Sequence, residues 1–223
     1  MSVTVNILYF PGTNCQRETA VAFERVGARP RLTFLTEVLV GRQRLDDADL
    51  LCLPGGFSFG DHAGAGTVAA LHLTTRVADQ LAACRKRPVL CICNGFQIAV
   101  RAGLFGPGVT LTVNERGTFY HVREQEHFVE PGNDSFWLDG LRGETLRFPC
   151  AHGEGRFLFE HLEGWKKALT YPPGRNPDSS MEGVAGITTP DGLVLGLMNH
   201  LERAPQHPFN LEILRNGVRW AGR

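Results

Sequence analysis

A cysteine followed by Asn-Gly stands where a predicted strand meets a predicted helix. Cys93 follows the apolar run 88–92, and Gly95 opens a segment with helical spacing that stops at Gly103. A sharp strand-to-helix turn of this kind exposes a nucleophile above a sheet, and the helix N-terminus favours the thiolate. An arbitrary cysteine is most often a buried structural residue, but this context predicts a nucleophile.

A thiolate that attacks an amide needs a general base, and the base needs a third group to orient it. Two His-x-Glu pairs could supply both groups: His152 with Glu154, and His200 with Glu202. The second pair follows the apolar run 193–198 and is expected at the carboxyl end of a strand, where open α/β sheets place their sites. We favour His200 and Glu202. An isolated His-x-Glu is most often a solvated loop, so the sequence leaves the first pair as a rival.

The segment Pro54-Gly55-Gly56-Phe57-Ser58 ends another buried run. Its glycines let backbone N–H groups face a ligand with no Cβ in the way. Together with the N–H of Asn94, they form a candidate oxyanion hole. Without Cys93 nearby, a tight turn would be the better interpretation.

Strands and helices alternate through the first half of the chain. Apolar runs predict strands, and helical spacing predicts the helices between them, at strands 3–10, 31–35, 50–53 and 88–92, and helices 17–26, 66–84 and 95–102. Such alternation is typical of a parallel sheet with crossover helices. The second half favours antiparallel or mixed pairing, with extended segments at 109–113, 118–122 and 145–148, and a hairpin formed by 184–188 and 193–198 around Pro190-Asp191-Gly192. The predicted class is α/β.

Composition excludes several classes of protein. The chain has 223 residues with 43% hydrophobic and 21% charged residues, which predicts one globular domain over 1–223. Lys plus Arg equals Asp plus Glu at 23 each, so no overall charge favours nucleic acid or a membrane surface. We expect no membrane span and no secretory leader. The six cysteines form no C-x-x-C pair, which favours a reducing compartment, the cytoplasm.

Several blocks along the chain resemble one enzyme family. They are Pro11-Gly12-Thr13-Asn14-Cys15, Pro54 to Asp61, Ile92 to Gln97, Ala151 to Arg156, Asn176-Pro177 and His200-x-Glu202-Arg203. In this order they resemble the glutaminase subunit of phosphoribosylformylglycinamidine synthase, a class I, triad-type glutamine amidotransferase. The resemblance implies a flavodoxin-like amidotransferase fold, with a mixed, mostly parallel sheet flanked by helices.

The resemblance also implies roles for individual residues. Cys93 would be the nucleophile, His200 the base and Glu202 the residue that orients it. The implied substrate-binding residues are Gly55, Gly56, Asn94 and Gln97, with Gly56 and Asn94 as backbone oxyanion donors and Gln97 as a contact to glutamine. No cofactor and no metal are implied.

The implied reaction is hydrolysis of glutamine to glutamate. The ammonia would pass to a separate ATP-dependent synthetase subunit that makes phosphoribosylformylglycinamidine for purine biosynthesis, and the resemblance leaves room for a small bridging subunit. The chain has no recognisable ATP motif, which agrees with that division of labour. We expect the isolated chain to be a poor glutaminase.

Four residues depart from the family pattern. Cys91 replaces a glycine beneath the turn, Asn199 and Leu201 replace prolines beside the base, and Gly64 replaces an arginine. A loop without those prolines is expected to be less rigid.

Other interpretations remain open. The chain could be a glutaminase for a different synthetase, or a degenerate amidotransferase that acts as a scaffold. A stress-type thiol hydrolase is less favoured because such proteins commonly carry His directly after the cysteine, where this chain has Asn94. A metal pair of Cys91 and Cys93 lacks a second ligand pair at suitable spacing.

Overall fold

The computed structural model describes residues 2–203 and 208–223. Within these ranges the strands are β1 Thr4–Tyr9, β2 Arg29–Phe34, β3 Leu50–Leu53, β4 Val89–Ile92, β5 Val109–Thr112, β6 Tyr120–Val129, β7 Thr145–His152, β8 Arg156–Phe159, β9 Lys166–Thr170, β10 Val184–Thr188 and β11 Val194–Leu197. The helices are α1 Gln16–Arg25, α2 Leu35–Leu39, α3 Thr67–Arg76, α4 Ala78–Cys84, α5 Asn94–Arg101 and α6 Pro208–Ala221.

One large sheet organises the described residues, in the order β2-β1-β3-β4-β11-β10-β9-β6-β7. The strands from β2 to β11 are parallel, and those from β11 to β7 pair antiparallel. Strands β5 and β8 form a separate pair. The predicted α/β class is confirmed, as is the change to antiparallel pairing in the second half.

The central strands are apolar along their whole length because both faces of the sheet are covered. Every residue of β3, β4 and β11 is buried, which explains why these segments lack the alternation of a half-exposed strand. Helix α5 contacts β3, β4 and β11. This contact fixes the start of α5 above the middle of the sheet.

Some predicted elements differ from the structure. The single helix predicted over 66–84 is wrong: it is broken at Val77, whose φ of −139° is not helical. Leu71, in the first of the two helices, is 59% exposed. Elements β8, β9, α2 and α6 were not anticipated. None of the described helices is long and apolar enough to cross a membrane.

Candidate active site

Cys93 occupies a strained turn between β4 and α5. Its backbone has φ 51° and ψ −110°, a region that L-residues rarely adopt. The turn is held by its neighbours, because the N–H of Cys93 donates to the carbonyl of Leu197 at 2.8 Å and its own carbonyl accepts from Phe96 and Gln97. A Cβ on Gly95 would lie 1.9 Å from the carbonyl oxygen of Leu53. Only glycine therefore fits two residues after the cysteine.

The Cys93 side chain faces a cavity of about 230 Å³. The other residues that line it are Asn14, Gly56, Phe57, Phe119, His121, Ala151, His200 and Arg203. The sulfur lies 3.7 Å from the carbonyl oxygen of Ala151. The structure thus brings the predicted nucleophile and the favoured base to one cavity.

His200 and Glu202 form a buried pair just beyond β11. The Nδ1 atom of His200 lies 2.6 Å from Oε1 of Glu202, with the two side chains 2% and 0% exposed. A 3-10 turn over Leu201–Arg203 bends the chain so that the glutamate returns to the histidine. The sequence suggested an extended segment here. The turn achieves the same pairing by a different local geometry.

Neighbouring groups favour the protonated form of His200. Burial opposes the charge, but the Glu202 carboxylate, the Cys93 sulfur and hydrogen bonds to Cys15 and Cys93 outweigh it, so the pKa of His200 lies well above its ordinary value. An imidazole of this kind holds a proton close to the cysteine sulfur.

His152 and Glu154, the first His-x-Glu pair, do not bond to each other. The Glu154 carboxylate accepts from the N–H of Ala65 at 3.1 Å and lies 3.4 Å from Arg101. His152 is buried instead beside Asp178, with 3.7 Å between Nε2 and Oδ2, and neither ring nitrogen has a hydrogen-bond partner among the described residues. Burial and the charge of His200 lower the pKa of His152 to about 4. His152 is therefore a neutral, buried imidazole.

Two backbone N–H groups are available above the sheet. Gly56 has φ 145°, and a Cβ there would lie 2.7 Å from the nitrogen of Asn14, so the position requires glycine. In the part of the chain that the structure describes, neither the N–H of Gly56 nor that of Asn94 donates to a protein acceptor. The carbonyl of Gly55 accepts from Cys15 at 3.3 Å, and Gly55 lies beneath the His200 ring.

Asn94 and Gln97 direct their side chains away from the cavity. Asn94 accepts from the N–H of Ser58 at 3.0 Å and donates to Oε1 of Gln97 at 2.9 Å. Gln97 donates to the carbonyl of Glu154 at 2.9 Å. Asp61, 3.3 Å from the Asn94 amide, has its pKa raised to about 6 by burial and by the nearby Glu154. The predicted contact of Gln97 with glutamine stays a prediction, because both ends of its amide have protein partners.

The departures near the base are well packed. Asn199 and Leu201 are both fully buried. The Asn199 amide lies 2.5 Å from Nε2 of His127 and donates to the Tyr171 hydroxyl at 3.4 Å. These contacts connect the segment before His200 to two other parts of the sheet, and the expectation of a less rigid loop stays a prediction. Cys91 is fully buried in β4, and burial raises the pKa of its thiol.

Several residues of the site were not singled out as site residues from the sequence. Cys15 belonged to one of the family-like blocks, and its sulfur accepts a hydrogen bond from Arg203 at 2.9 Å. The rings of Phe57 and Phe119 lie 6.3 Å apart at the cavity and are largely exposed. Phe119 lay in the predicted extended segment 118–122, which carried no sign of a site, whereas Arg203 directly follows the favoured pair.

Cys15, His200 and Glu202 place possible metal-ligand atoms within 4.8 Å of one another. The histidine and glutamate are already hydrogen-bonded, and the Arg203 guanidinium contacts the Cys15 sulfur. A metal ion there would meet a fixed positive charge. We interpret the group as a hydrogen-bonded cluster.

The cysteine lies in a strained turn above a parallel sheet, and the histidine follows the strand that pairs with the one before the cysteine. This is the arrangement of a glutamine amidotransferase. The chain belongs to the CobB/CobQ-like glutamine amidotransferase family, whose model matches residues 2–216. Structures of a GMP synthase-type protein from Thermoplasma acidophilum and a glutamine amidotransferase from Thermotoga maritima share the fold, with TM-scores of 0.66 and 0.64 at 15% and 14% identity. The first match covers 100% of this chain and 95% of that one, and the second 99% and 98%.

Stronger similarities narrow the family. Phosphoribosylformylglycinamidine synthase subunit PurQ of Methanothermobacter thermautotrophicus is 35% identical, over 91% of this chain and 90% of that protein. PurQ of Methanopyrus kandleri is also 35% identical, over 98% of both chains. A chain in the structure of PurLQS from Thermotoga maritima matches with a TM-score of 0.85 and 31% identity, covering 99% of both chains. The predicted resemblance to these glutaminase subunits is confirmed.

Proposed function

We propose that Cys93, His200 and Glu202 form the catalytic triad of this glutamine amidotransferase. The observation that carries the proposal is the shared cavity, which the strained Cys93 lines together with His200. The Nδ1 atom of His200 is bonded to the buried Glu202. The chain is the glutamine-hydrolysing subunit of phosphoribosylformylglycinamidine synthase. It works as one amidotransferase domain in the cytoplasm.

The reaction follows from the positions of these groups. The Cys93 sulfur attacks the side-chain carbonyl of glutamine while His200 holds the thiol proton, and the imidazolium then protonates the leaving ammonia. The N–H groups of Gly56 and Asn94 bind the oxyanion of the tetrahedral intermediate. Water hydrolyses the thioester by the same route in reverse, with His200 taking its proton, and glutamate leaves. Glu202 fixes the tautomer of His200 throughout.

The ammonia is used by a partner. The synthetase subunit consumes ATP and transfers this ammonia to phosphoribosylformylglycinamide, and a small PurS-type subunit joins the complex. The similarity to PurQ proteins and to the PurLQS complex supports this assignment. Exposed Phe57 and Phe119 line the cavity, and in this proposal a docked partner receives the product beside them.

The test separates glutamine hydrolysis from ammonia transfer. The complex reconstituted with its synthetase partner is assayed for amidine formation with glutamine and, separately, with ammonium chloride. Cys93→Ala should abolish the glutamine-dependent reaction, because the nucleophile is lost, and should retain the ammonium-dependent one. Loss of both activities in a complex that still assembles would contradict the assignment.

A matched control uses the buried cysteine two residues earlier. Cys91→Ala removes a thiol of the same strand that does not line the cavity, and it should retain glutamine hydrolysis. A diazo-ketone analogue of glutamine should label Cys93 and leave Cys91 and Cys15 unmodified. Labelling of either of those instead of Cys93 would overturn the assignment of the nucleophile.

A further inference from the structure

A second cysteine is built into the catalytic cluster. Cys15, at the start of α1, is fully buried. Its sulfur accepts a hydrogen bond from Nη2 of Arg203 at 2.9 Å, and its S–H donates to Oδ1 of Asn14 at 3.1 Å. Arg203 and Asn14 both line the cavity that contains Cys93. One sulfur therefore holds two polar side chains of the site in place.

The same sulfur lies close to the histidine. A Cβ on Gly55 would stand 3.3 Å from the Cys15 sulfur and 2.7 Å from Cε1 of His200. The Cys15 sulfur, a ring nitrogen of His200 and a carboxylate oxygen of Glu202 all lie within 4.8 Å of one another. Cys15 is thus packed against the base on the side that faces Glu202.

One carboxylate oxygen of Glu202 has no hydrogen-bond partner among the described residues. Oε1 bonds to His200, whereas Oε2 is buried and accepts no hydrogen bond from the described residues. Arg203 is the next residue, and a guanidinium favours two parallel bonds to a carboxylate. The charge of Glu202 helps to raise the pKa of Arg203, but within residues 2–203 and 208–223 the two side chains form no direct ion pair. The arginine is instead bonded to the Cys15 sulfur.

We propose that Cys15 is a positioning residue that keeps the Arg203 guanidinium out of direct contact with Glu202, so that the carboxylate bonds only to His200. The proposal rests on the triad proposed above. Without the sulfur, the guanidinium turns to the free oxygen of Glu202 and neutralises it. The imidazolium of His200 then loses much of its stabilisation.

The effect on pH dependence has a defined direction. The charged or titratable groups that face His200 are Glu202 and Arg203 from its own turn, Cys93 from the start of α5, Cys15 before α1 and His152 from β7. Pairing of Arg203 with Glu202 weakens the main attraction that keeps His200 protonated. The imidazolium therefore loses its proton at lower pH, and the basic limb of the kcat/KM profile moves down.

The experiment uses the complete complex with its synthetase partner and measures glutamate release. Cys15→Ala should lower kcat by about tenfold to a hundredfold, the effect of weakening a charge-assisted hydrogen bond. KM for glutamine should change by less than about threefold, because the lost interaction acts on the transition state. The basic limb should move down by about one pH unit.

Two further variants separate positioning from packing. Cys15→Ser keeps an oxygen that accepts from Arg203 and donates to Asn14, so its pH profile should match the wild type. Adding Arg203→Met to Cys15→Ala removes the misplaced cation, so the double variant should regain much of the lost kcat. If Cys15→Ala does not fold, Cys15→Val fills the same volume without a polar atom and serves in both comparisons.

The outcomes are distinct. An unshifted basic limb in Cys15→Ala, or a double variant no better than the single one, would overturn the positioning role while leaving the triad standing. A wild-type complex that uses ammonium chloride but not glutamine would instead remove the proposed function itself. Recovery in the double variant with a restored basic limb would establish the role.

Discussion

His152 and His200 each stand two residues before a glutamate, and each lies buried close to Cys93, yet their environments are opposite. His200 meets its own glutamate at 2.6 Å, and its pKa is raised. His152 has no hydrogen-bond partner among the described residues on either ring nitrogen, and its pKa is lowered to about 4. The difference lies in the chain that follows each histidine. A 3-10 turn returns Glu202 to its histidine, whereas Glu154 continues outward to Arg101 and Ala65.

The two histidines show that burial alone does not decide the pKa of an imidazole. Burial disfavours the imidazolium at both positions, and only the partner decides the sign of the shift. At His200 a carboxylate in direct contact outweighs burial. At His152 the nearest carboxylate, Asp178, is 3.7 Å away, and burial itself raises the pKa of that carboxyl. Burial therefore favours the neutral form of both His152 and Asp178.

The largest effect is expected when the imidazole ring of His200 or of His152 is removed. His200→Ala should lower kcat for glutamine hydrolysis by roughly 10⁴-fold or more, as loss of a triad member does in other enzymes. The rate is measured in the complex, with unfolding curves to show that the variant is folded. A comparable loss in His152→Ala, with His200→Ala close to wild type, would exchange the two assignments.

The next largest test removes the charge of each glutamate. Glu202→Gln should cost about 10³-fold to 10⁴-fold in kcat, because the amide cannot stabilise the imidazolium or select the same tautomer. Glu154→Gln is the matched control and should cost far less, since Glu154 bonds to Ala65 and Arg101. Equal losses in the two variants would show that Glu202 has no special link to the base.

His152→Ala should act on substrate positioning. Its ring fills the space beside Gly155, where a Cβ would lie 2.1 Å from the imidazole, and the preceding residue, Ala151, contacts the Cys93 sulfur. We expect kcat/KM to fall by up to about 100-fold, the cost of a small misplacement, mainly through KM. Steady-state kinetics over a range of glutamine concentrations measures this. A loss confined to kcat would argue for a chemical role.

Asn199 tests how the favoured pair is held. Asn199→Ala should lower the free energy of unfolding by about 1–3 kcal/mol, because His127 and Tyr171 lose a buried partner. It should also reduce kcat by about tenfold, since the segment before His200 loosens. Asn216→Ala is the control: its amide bonds to the carbonyls of Trp137 and Asp139, so it should lose similar stability and keep its kcat.

The smallest effect concerns acid stability. Burial lowers the pKa of His127 to about 3 and that of His152 to about 4, so below about pH 6.5 the unfolded chain binds protons that the folded chain refuses. The free energy of unfolding should therefore fall as pH drops from about 6.5 towards 4. The raised pKa of Asp61 opposes this trend below about pH 6. The raised pKa of His200 adds a constant contribution to the free energy of unfolding below about pH 6.5.

His127→Gln isolates one of these contributions. Urea unfolding at several pH values should give a slope shallower by up to about 1.4 kcal/mol per pH unit than that of the wild type. An unchanged slope would mean that His127 is protonated in the folded protein.

The sequence predicted those features that depend on residues close together in the chain. Cys93-Asn94-Gly95 between a strand and a helix indicated the sharp turn. Glycine is needed there because the backbone of Leu53 lies against Gly95. The break at Val77 was not predictable, since a valine suits a helix core and only its tertiary setting gives it a strand-like φ. Strand β9, whose first residues are Lys166 and Lys167, carries too little apolar pattern to be recognised.

The choice between the histidines depended on residues far along the chain. His152 is neutral because of burial within the second half of the sheet, and Asn199 is held by His127 and Tyr171. No local pattern shows such contacts. Cys15 was visible only as part of a family-like block, and its contact with Arg203 joins opposite ends of the sequence.

The place of β11 in the sheet has a consequence for how the enzyme is made. Strand β4, which leads to Cys93, pairs with β11, the last strand of the described chain, and His200 lies three residues beyond it. During synthesis Cys93 therefore leaves the ribosome about a hundred residues before His200, the proposed base. The chain emerges N-terminus first at roughly 5–20 residues per second, so for that interval Cys93 is without its proposed base. The proposed triad is complete only when β11 has joined the sheet.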